Sequence, residues 1–231
     1  MDSLVAVAIH DAKNSLNALG VWLAAARREL AAKGLDESSP ALERATEITA
    51  RLTAQLVELL ALYRAGEGTL RMAVEDHDLA DFLADMMSEL GHSDSADAPI
   101  VIETDFAAAT KLGEWAFDAY LVKFVLLDAL RNALRHARQT IRFSLVQDSG
   151  PGIRFSIEDD GDGFPADVLR NSDGEQTASA AAMNAGSSGL GLSFAHLIAQ
   201  RHAVPGGRHG SLELANDGLG KCGARFTLVL P

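Results

Sequence analysis

Ile153-Arg154-Phe155-Ser156-Ile157-Glu158-Asp159-Asp160-Gly161-Asp162-Gly163 runs from an alternating apolar segment straight into an acidic turn with two glycines. Apolar residues at every second position mark a strand with one buried face, and the glycines let the backbone bend and approach another group closely. Upstream, Ile141 to Val146 alternates in the same way, and Asp148-Ser149-Gly150-Pro151-Gly152 between the two runs supplies the residues of a hairpin turn. Downstream, Ser211 to Leu214 and Ala224 to Leu230 read as two further strands. Leu70, Met72 and Val74 predict a short strand, as does Ile100 to Phe106, with a polar loop from Gly91 to Ala98 before the latter. Helical periods fall between these runs. Asp78 is placed to cap a helix reaching Leu90, Glu114 to His136 reads as one long helix, and Leu190 to Gln200 as another. Mixed helices and antiparallel hairpins predict an α/β sandwich with helices on one face.

The first third of the chain has a different period. Val5, Ile9, Ala12, Leu16, Leu19, Leu23, Ala26 and Leu30 alternate steps of four and three, and so do Leu42, Ala45, Thr49, Leu52, Leu56, Leu59 and Tyr63. Between them, Gly34 is a C-terminal cap, Ser39 an N-cap and Pro40 a first helical residue, so the pair predicts an antiparallel helical hairpin. Val21, Trp22, Ile48 and Leu62 lie beside the seams, and pairing two hairpins into a four-helix bundle would bury them in a homodimer. Arg64 to Thr69 reads as a linker. The predicted fold is therefore α+β, with a helical hairpin over residues 1–66 followed by the α/β sandwich over 67–231.

Composition bounds the function. The chain has 231 residues, 48% hydrophobic and 23% charged, with a formal net charge of −12 and a pI near 4.9. That balance argues against a nucleic-acid partner, because phosphate backbones are held mainly by Lys and Arg. A nucleotide stays compatible, since backbone N–H groups, Mg²⁺ and one or two cations hold phosphates in an acidic protein. Cys222 is the single cysteine, which excludes an internal disulfide and fits a reducing compartment. No stretch has the apolar length of a membrane span, and no secretory leader is recognisable, so a cytoplasmic location is expected.

Three polar clusters now have places to sit. Asp128, Asn132 and Arg135 are spaced by four and three and share one helix face; by spacing alone such a set reads first as a solvated face. Asn132 is the exception, because Asn is a poor mid-helix residue and its amide oxygen suits Mg²⁺. Asp159, at a strand end before Gly161 and Gly163, can accept a hydrogen bond from an exocyclic amine beside a closely approached flat ring, although the stretch is equally a tight acidic turn. Gly186-Ser187-Ser188-Gly189-Leu190-Gly191-Leu192 opens a helix, where free N–H groups favour phosphate; alone, a glycine-rich helix start is a weak signal.

In this order the clusters resemble the N box and the two glycine boxes of the ATP-binding domain shared by sensor histidine kinases, type II topoisomerases, mismatch-repair ATPases and Hsp90-like chaperones. The resemblance implies ATP and Mg²⁺ as cofactors, with Asn132 as the metal ligand. Asp159 would hold the adenine amine, and Gly161 and Gly163 would lie in the first glycine box. Gly189, Leu190, Gly191 and Leu192 would lie in the second, beside the phosphates, and Arg135 and His136 would face phosphates or ribose. Asp128 stands where many histidine kinases have Asn; an acidic residue there is similar to the water-activating Glu of hydrolytic relatives and implies a second base. Ser187 replaces a usual glycine, and the 170–188 segment lacks an aromatic motif common in kinases.

The hairpin resembles the dimerisation and phosphoacceptor domain of histidine kinases. Ile9-His10-Asp11-Ala12-Lys13-Asn14-Ser15-Leu16 is similar to the family's H box, without the proline that often follows the histidine. The resemblance implies His10 as phosphoacceptor, Asp11 as the group that orients its imidazole, and Asn14 as the residue that positions water for dephosphorylating a response regulator. It implies a two-component kinase that passes phosphate from ATP through His10 to an aspartate of a receiver domain; no sensor segment precedes His10 in the sequence, and either a separate sensor or regulatory partner or a place as the catalytic core of a longer gene product is expected. Two further readings are compatible with the sequence: a dimeric histidine phosphotransfer protein with a degenerate ATP domain, and an anti-sigma-type serine kinase.

Overall fold

The computed structural model describes residues 2–32, 40–90, 100–148, 150–171, 190–204 and 206–231. The chain divides into two compact units, Met1–Leu70 and Arg71–Pro231.

In the first unit, α1 (Asp2–Ala32) and α2 (Pro40–Gly66) pack against each other. Their connection, with Gly34 and Ser39, lies outside the described residues. Thr46, Thr49 and Thr53 each donate a hydroxyl to the carbonyl four residues earlier, at 2.8, 2.7 and 2.9 Å, so α2 carries these β-branched polar residues with their hydroxyls satisfied. Val57, Leu60 and Ala61 are buried, whereas Leu52 and Leu59 of the predicted seam are exposed. Leu19, Val21, Trp22 and Ile48 are exposed too, Trp22 at 73%. The helix continues past Arg64, where a linker was predicted, and stops at Gly66; the Thr69 and Leu70 N–H groups then return to the Arg64 carbonyl and Gly68 takes φ +66°.

In the second unit, β1 (Glu75–Asp78) pairs antiparallel with β3 (Glu114–Phe117), and α3 (Leu79–Leu90) follows β1 with Asp78 Oδ1 accepting the Asp81 N–H at 2.9 Å. β2 (Val101–Asp105), β4 (Thr140–Gln147), β5 (Ile153–Asp159), β8 (Ser211–Ala215) and β9 (Arg225–Leu230) form a sheet in the order β2-β4-β5-β9-β8, with β2 parallel to β4 and the other pairs antiparallel. The remaining elements are α4 (Ala107–Leu112), α5 (Ala119–His136), α6 (Ala166–Asn171), α7 (Leu190–Arg201) and a ribbon of β6 (Ala203–Val204) with β7 (Arg208–His209). The predicted β4–β5 hairpin is present, closed by the Asp148 N–H on the Gly152 carbonyl at 2.9 Å.

Alternation sorts the sheet faces. Ile141, Phe143, Leu145, Ile153, Phe155, Ile157, Leu228 and Leu230 are buried along with Leu83, Met86, Val122, Leu126, Leu130, Phe194 and Ile198 of the helices. Edge-to-face rings knit this core: Phe82 on Phe117 at 4.9 Å, Phe106 on Phe143 at 5.0 Å, and Phe124 on Phe194 at 5.5 Å between centroids. The alternate positions are polar, with Arg142 paired to Glu103 and Glu158, and Arg154 to Asp148 and Glu213. Helices on one face of a mixed sheet are the predicted sandwich.

Two predicted elements are corrected. Glu114 to His136 is a strand followed by a helix, because Asp118 caps α5 through its Oδ1 on the Leu121 N–H at 3.0 Å and ends the preceding strand. Residues 70–74 are not a strand; pairing begins at Glu75, and the Ala73 N–H is taken by Asp118 Oδ2 at 2.8 Å rather than by a neighbouring strand.

Candidate functional site

β5 ends on Asp159, a carboxylate only 5% exposed. Its Oδ1 accepts the N–H groups of Gly161 at 2.8 Å and Ala224 at 3.2 Å. Its own N–H donates to the Ala224 carbonyl and its carbonyl accepts the Leu219 N–H, both at 2.9 Å. Among the described residues no donor reaches Oδ2, and no side-chain oxygen or nitrogen is at once fully buried and unpaired, so Oδ2 opens to accessible space. A carboxylate oxygen that the fold orients but leaves without a donor suits an N–H group of a ligand.

The glycines around Asp159 are demanded by close approach. A Cβ on Gly161 would sit 2.5 Å from the His136 carbonyl oxygen, and Gly163, at φ +79°, would place one 2.5 Å from the Cys222 carbonyl oxygen. Asp160 binds the turn to the end of α5: its Oδ1 accepts the Arg138 N–H at 2.7 Å and the Gln139 N–H at 3.1 Å. Burial pushes the Asp160 carboxyl up, but the N–H groups of Gln139, Arg138 and Thr140 outweigh it and hold the group below its ordinary value. The Arg138 guanidinium also pairs with Asp162.

α5 presents the other cluster. Asp128 and Asn132 are half-buried, and Arg135 and His136 are exposed. Burial pushes the Asp128 carboxyl above its ordinary value, while the charges of Arg135 and Arg131 pull it back only in part. Asn132 has no hydrogen-bond partner for its amide among the described residues, which leaves its oxygen available to a hard cation. No group of three or more His, Cys, Asp or Glu converges as a metal site among the described residues, so any cation here would take most of its ligands from water or phosphate. Leu190, Gly191 and Leu192 form the first turn of α7, which packs on α5. Gly189 and residues 186–188 lie outside the described residues. In α1, Asp11 and Asn14 are exposed and the Ser15 hydroxyl donates to the Asp11 carbonyl at 2.9 Å; His10 lies in α1 with its side chain outside the described part.

Sequence reading missed the loop behind the acidic turn. A Cβ on Gly223 would collide with the Asp159 carbonyl oxygen, so only glycine lets the 217–223 loop lie against the strand end. Asn216 clamps the far side: its Oδ1 accepts the Phe164 N–H at 2.7 Å and its Nδ2 donates to the Phe164 carbonyl at 2.9 Å. The available signal was Gly218, Gly220 and Gly223 crowded before a strand. A recess lined by Arg138, Gln139, Asp160 to Asp162 and Gly220 to Cys222 borders the turn but includes none of Asp128, Asn132 and Asp159, and is not the candidate cleft.

Residues 117–231 match the family of histidine kinase-, DNA gyrase B- and HSP90-like ATPases. The matched residues lie in the second unit. The chain is 29% identical over 193 residues to the signal transduction histidine-protein kinase AfsQ2 of Streptomyces coelicolor, an alignment covering 83% of this chain and 33% of that kinase. It thus spans about a third of that relative's length. Its fold is similar to the Acinetobacter baumannii histidine kinase AdeS, with a TM-score of 0.59 at 19% identity over 91% of this chain and 94% of that one. It is also similar to full-length ShkA, solved in complex with AMPPNP, with a TM-score of 0.66 at 19% identity over 100% of this chain and 46% of that one. These matches bear out the resemblance to a sensor histidine kinase catalytic core. No helix among the described residues is long and apolar enough to cross a membrane.

Two outcomes follow from this geometry. Gly223→Ala forces the loop off Asp159 and costs on the order of 1–3 kcal/mol as overpacking does, read as a lower urea midpoint; an alanine variant as stable as wild type would show that the loop yields freely. Because burial raises the Asp128 carboxyl, the folded chain holds that proton more tightly than the unfolded one, and stability falls as pH rises from about 4 through the raised value. Asp128→Asn is therefore expected to raise the melting temperature at pH 7, with the gain vanishing near pH 4.

Proposed function

We propose that this chain is the core of a two-component histidine kinase that autophosphorylates His10 from ATP and passes the phosphoryl group to an aspartate of a response-regulator receiver domain. The observation that carries the nucleotide half is Asp159, whose Oδ1 is held by two backbone N–H groups while Oδ2 keeps an open acceptor for the adenine amine. Gly161 and Gly163 would let the turn lie close to the base, and Gly189, Leu190, Gly191 and Leu192 would approach the phosphates at the start of α7. Asn132, with its free amide, would hold Mg²⁺, which supplies charge neutralisation on the phosphates when bound. Arg135 and His136, both exposed at the end of α5, would contact phosphate or ribose.

The phosphoacceptor half rests on α1. His10 would attack the γ-phosphorus: an imidazole nitrogen forms the N–P bond, the bond from phosphorus to the bridging oxygen breaks, ADP leaves, and Asp11 takes up the ring proton. Asn14, exposed one turn on, would position water for removal of phosphate from the regulator. Asp128, its carboxyl raised by burial, would serve as a second base on the nucleotide side. We assign residues 1–66 as an antiparallel hairpin that dimerises into a four-helix bundle through exposed Leu19, Val21, Trp22, Ile48, Leu52 and Leu59, and residues 67–231 as the ATP-binding domain. The location would be the cytoplasm, with a sensor or regulatory protein as the input partner.

Incubation with radiolabelled ATP and Mg²⁺ is expected to give an acid-labile, alkali-stable label that His10→Gln abolishes; label persisting in that variant would refute the acceptor. Asp159→Asn places an N–H where the ligand amine needs an acceptor and is expected to weaken ATP binding roughly 10- to 100-fold by calorimetry. Wild type that binds no ATP yet takes phosphate from a phosphorylated receiver would establish a phosphotransfer protein instead.

A further inference from the structure

Two buried polar residues outside the site just described meet at the opposite end of α5. Asp118 is 4% exposed and His202 is 3% exposed. The Asp118 N–H donates to His202 Nε2 at 2.9 Å, and His202 Nδ1 lies 2.7 Å from the Ile198 carbonyl oxygen. A backbone N–H only donates and a carbonyl only accepts, so the ring proton sits on Nδ1 and the imidazole is neutral. Burial holds His202 below its ordinary value against the Ile198 hydrogen bond and the charge of Asp118, in keeping with that tautomer. His202 also ends α7, its N–H on the Ala199 carbonyl at 3.0 Å, and its carbonyl receives the Gly210 N–H at 2.8 Å.

The contacts along α5 and α7 run in opposite senses: Asp118 meets His202, and Phe124 meets Phe194 edge-to-face at 5.5 Å. The pair is therefore antiparallel, and the same register carried onward sets Asp128 level with Leu190. Asp128 and Asn132 stand ten and fourteen residues beyond Asp118, about 15 and 21 Å along the helix. The clasp closes one end of the pair, and the nucleotide residues occupy the other. A tilt of about 3° at the clasp moves Asn132 by about 1 Å, a misplacement that costs about 10²-fold where reacting groups must be aligned.

A third segment of the chain joins this point. Asp118 Oδ1 caps α5 on the Leu121 N–H at 3.0 Å, and Oδ2 accepts the Ala73 N–H at 2.8 Å. Ala73 is the third residue after the helical unit ends at Leu70. Asp118 thus ties the incoming chain, the helix with Asp128 and Asn132, and the helix with Gly191 through one pair of buried side chains.

We propose that Asp118 and His202 are positioning residues that set the width of the nucleotide cleft from its far end, and that the Ala73 N–H on Asp118 makes this width responsive to the segment arriving from the helical unit. The proposal rests on the nucleotide reading given above. It makes the joining segment an input to ATP affinity, with no contact between that segment and ATP.

Calorimetric titration of the full chain with Mg·ATP tests it, with the melting temperature of each protein as a check of folding. His202→Leu removes the acceptor for the Asp118 N–H, His202→Gln keeps a side-chain oxygen for it, and Ala73→Pro removes the N–H that reaches Oδ2 while also fixing the backbone φ at that position. His202→Leu is expected to weaken binding by about tenfold or more, His202→Gln to stay within about threefold of wild type, and Ala73→Pro to weaken it severalfold. A His202→Leu protein that melts lower but binds as tightly as wild type overturns the clasp, since a histidine with a merely structural role behaves that way. If His202→Leu does not fold, Ala73→Pro decides: folded protein with unchanged affinity overturns the coupling. Wild type that binds no Mg·ATP overturns the nucleotide reading itself, and the clasp with it.

Discussion

The buried carboxylate of Asp159 is the constraint on which the second unit is organised. A carboxylate at a strand end is costly to desolvate unless its lone pairs are met, and here two backbone N–H groups from different segments meet one oxygen. To deliver them, the chain must turn at Gly161 and return through Gly223 to Ala224, and neither glycine has room for a side chain where it passes the strand end. Asp160, one residue on, fastens the same turn to the end of α5. The residue with the open carboxylate oxygen is therefore also the residue around which the loops are ordered.

The helices complete the arrangement from the sheet outward. α5 is buried along Leu121, Val122, Val125, Leu126 and Leu130, which leaves Asp128 and Asn132 on a half-buried flank. Burial of that flank raises the Asp128 carboxyl, which a fully solvated helix face would not do, and the Asn132 amide has no partner among the described residues. α7 lies against α5 through Phe124 and Phe194, so the flank and the helix that begins at Leu190 belong to one helical layer. In the first unit, the exposed Trp22, Val21 and their neighbours form an apolar surface of the kind proteins bury against a partner.

Much of this was legible residue by residue. The alternation through Ile153 to Ile157 and Ile141 to Val146 reported the paired strands, and the acidic glycine turn after them falls at the strand end where it was read. Cap chemistry placed the start of α3 at Asp78. The failures share a cause. Glu114 to Phe117 has an apolar pattern that fits either a strand or the start of a helix, and the strand is set by pairing with Glu75–Asp78, almost forty residues earlier. Residues 70–74 alternate as a strand does, but the Ala73 N–H finds the side chain of Asp118, the N-cap of α5.

Local period and turn chemistry are properties of neighbouring residues, and so the sequence by itself determined the two kinds of architecture, the strands of the main sheet, the helix carrying Asp128 and Asn132, and the Asp159 turn. Only the tertiary structure decided which partners those residues meet. Gly223 against Asp159, Asn216 against Phe164 and His202 against Asp118 join positions 50 to 85 apart, and no periodicity records a contact across such a separation. Which acceptor stays open on Asp159 was decided in the same way, by backbone N–H groups that reach it only when the chain has folded.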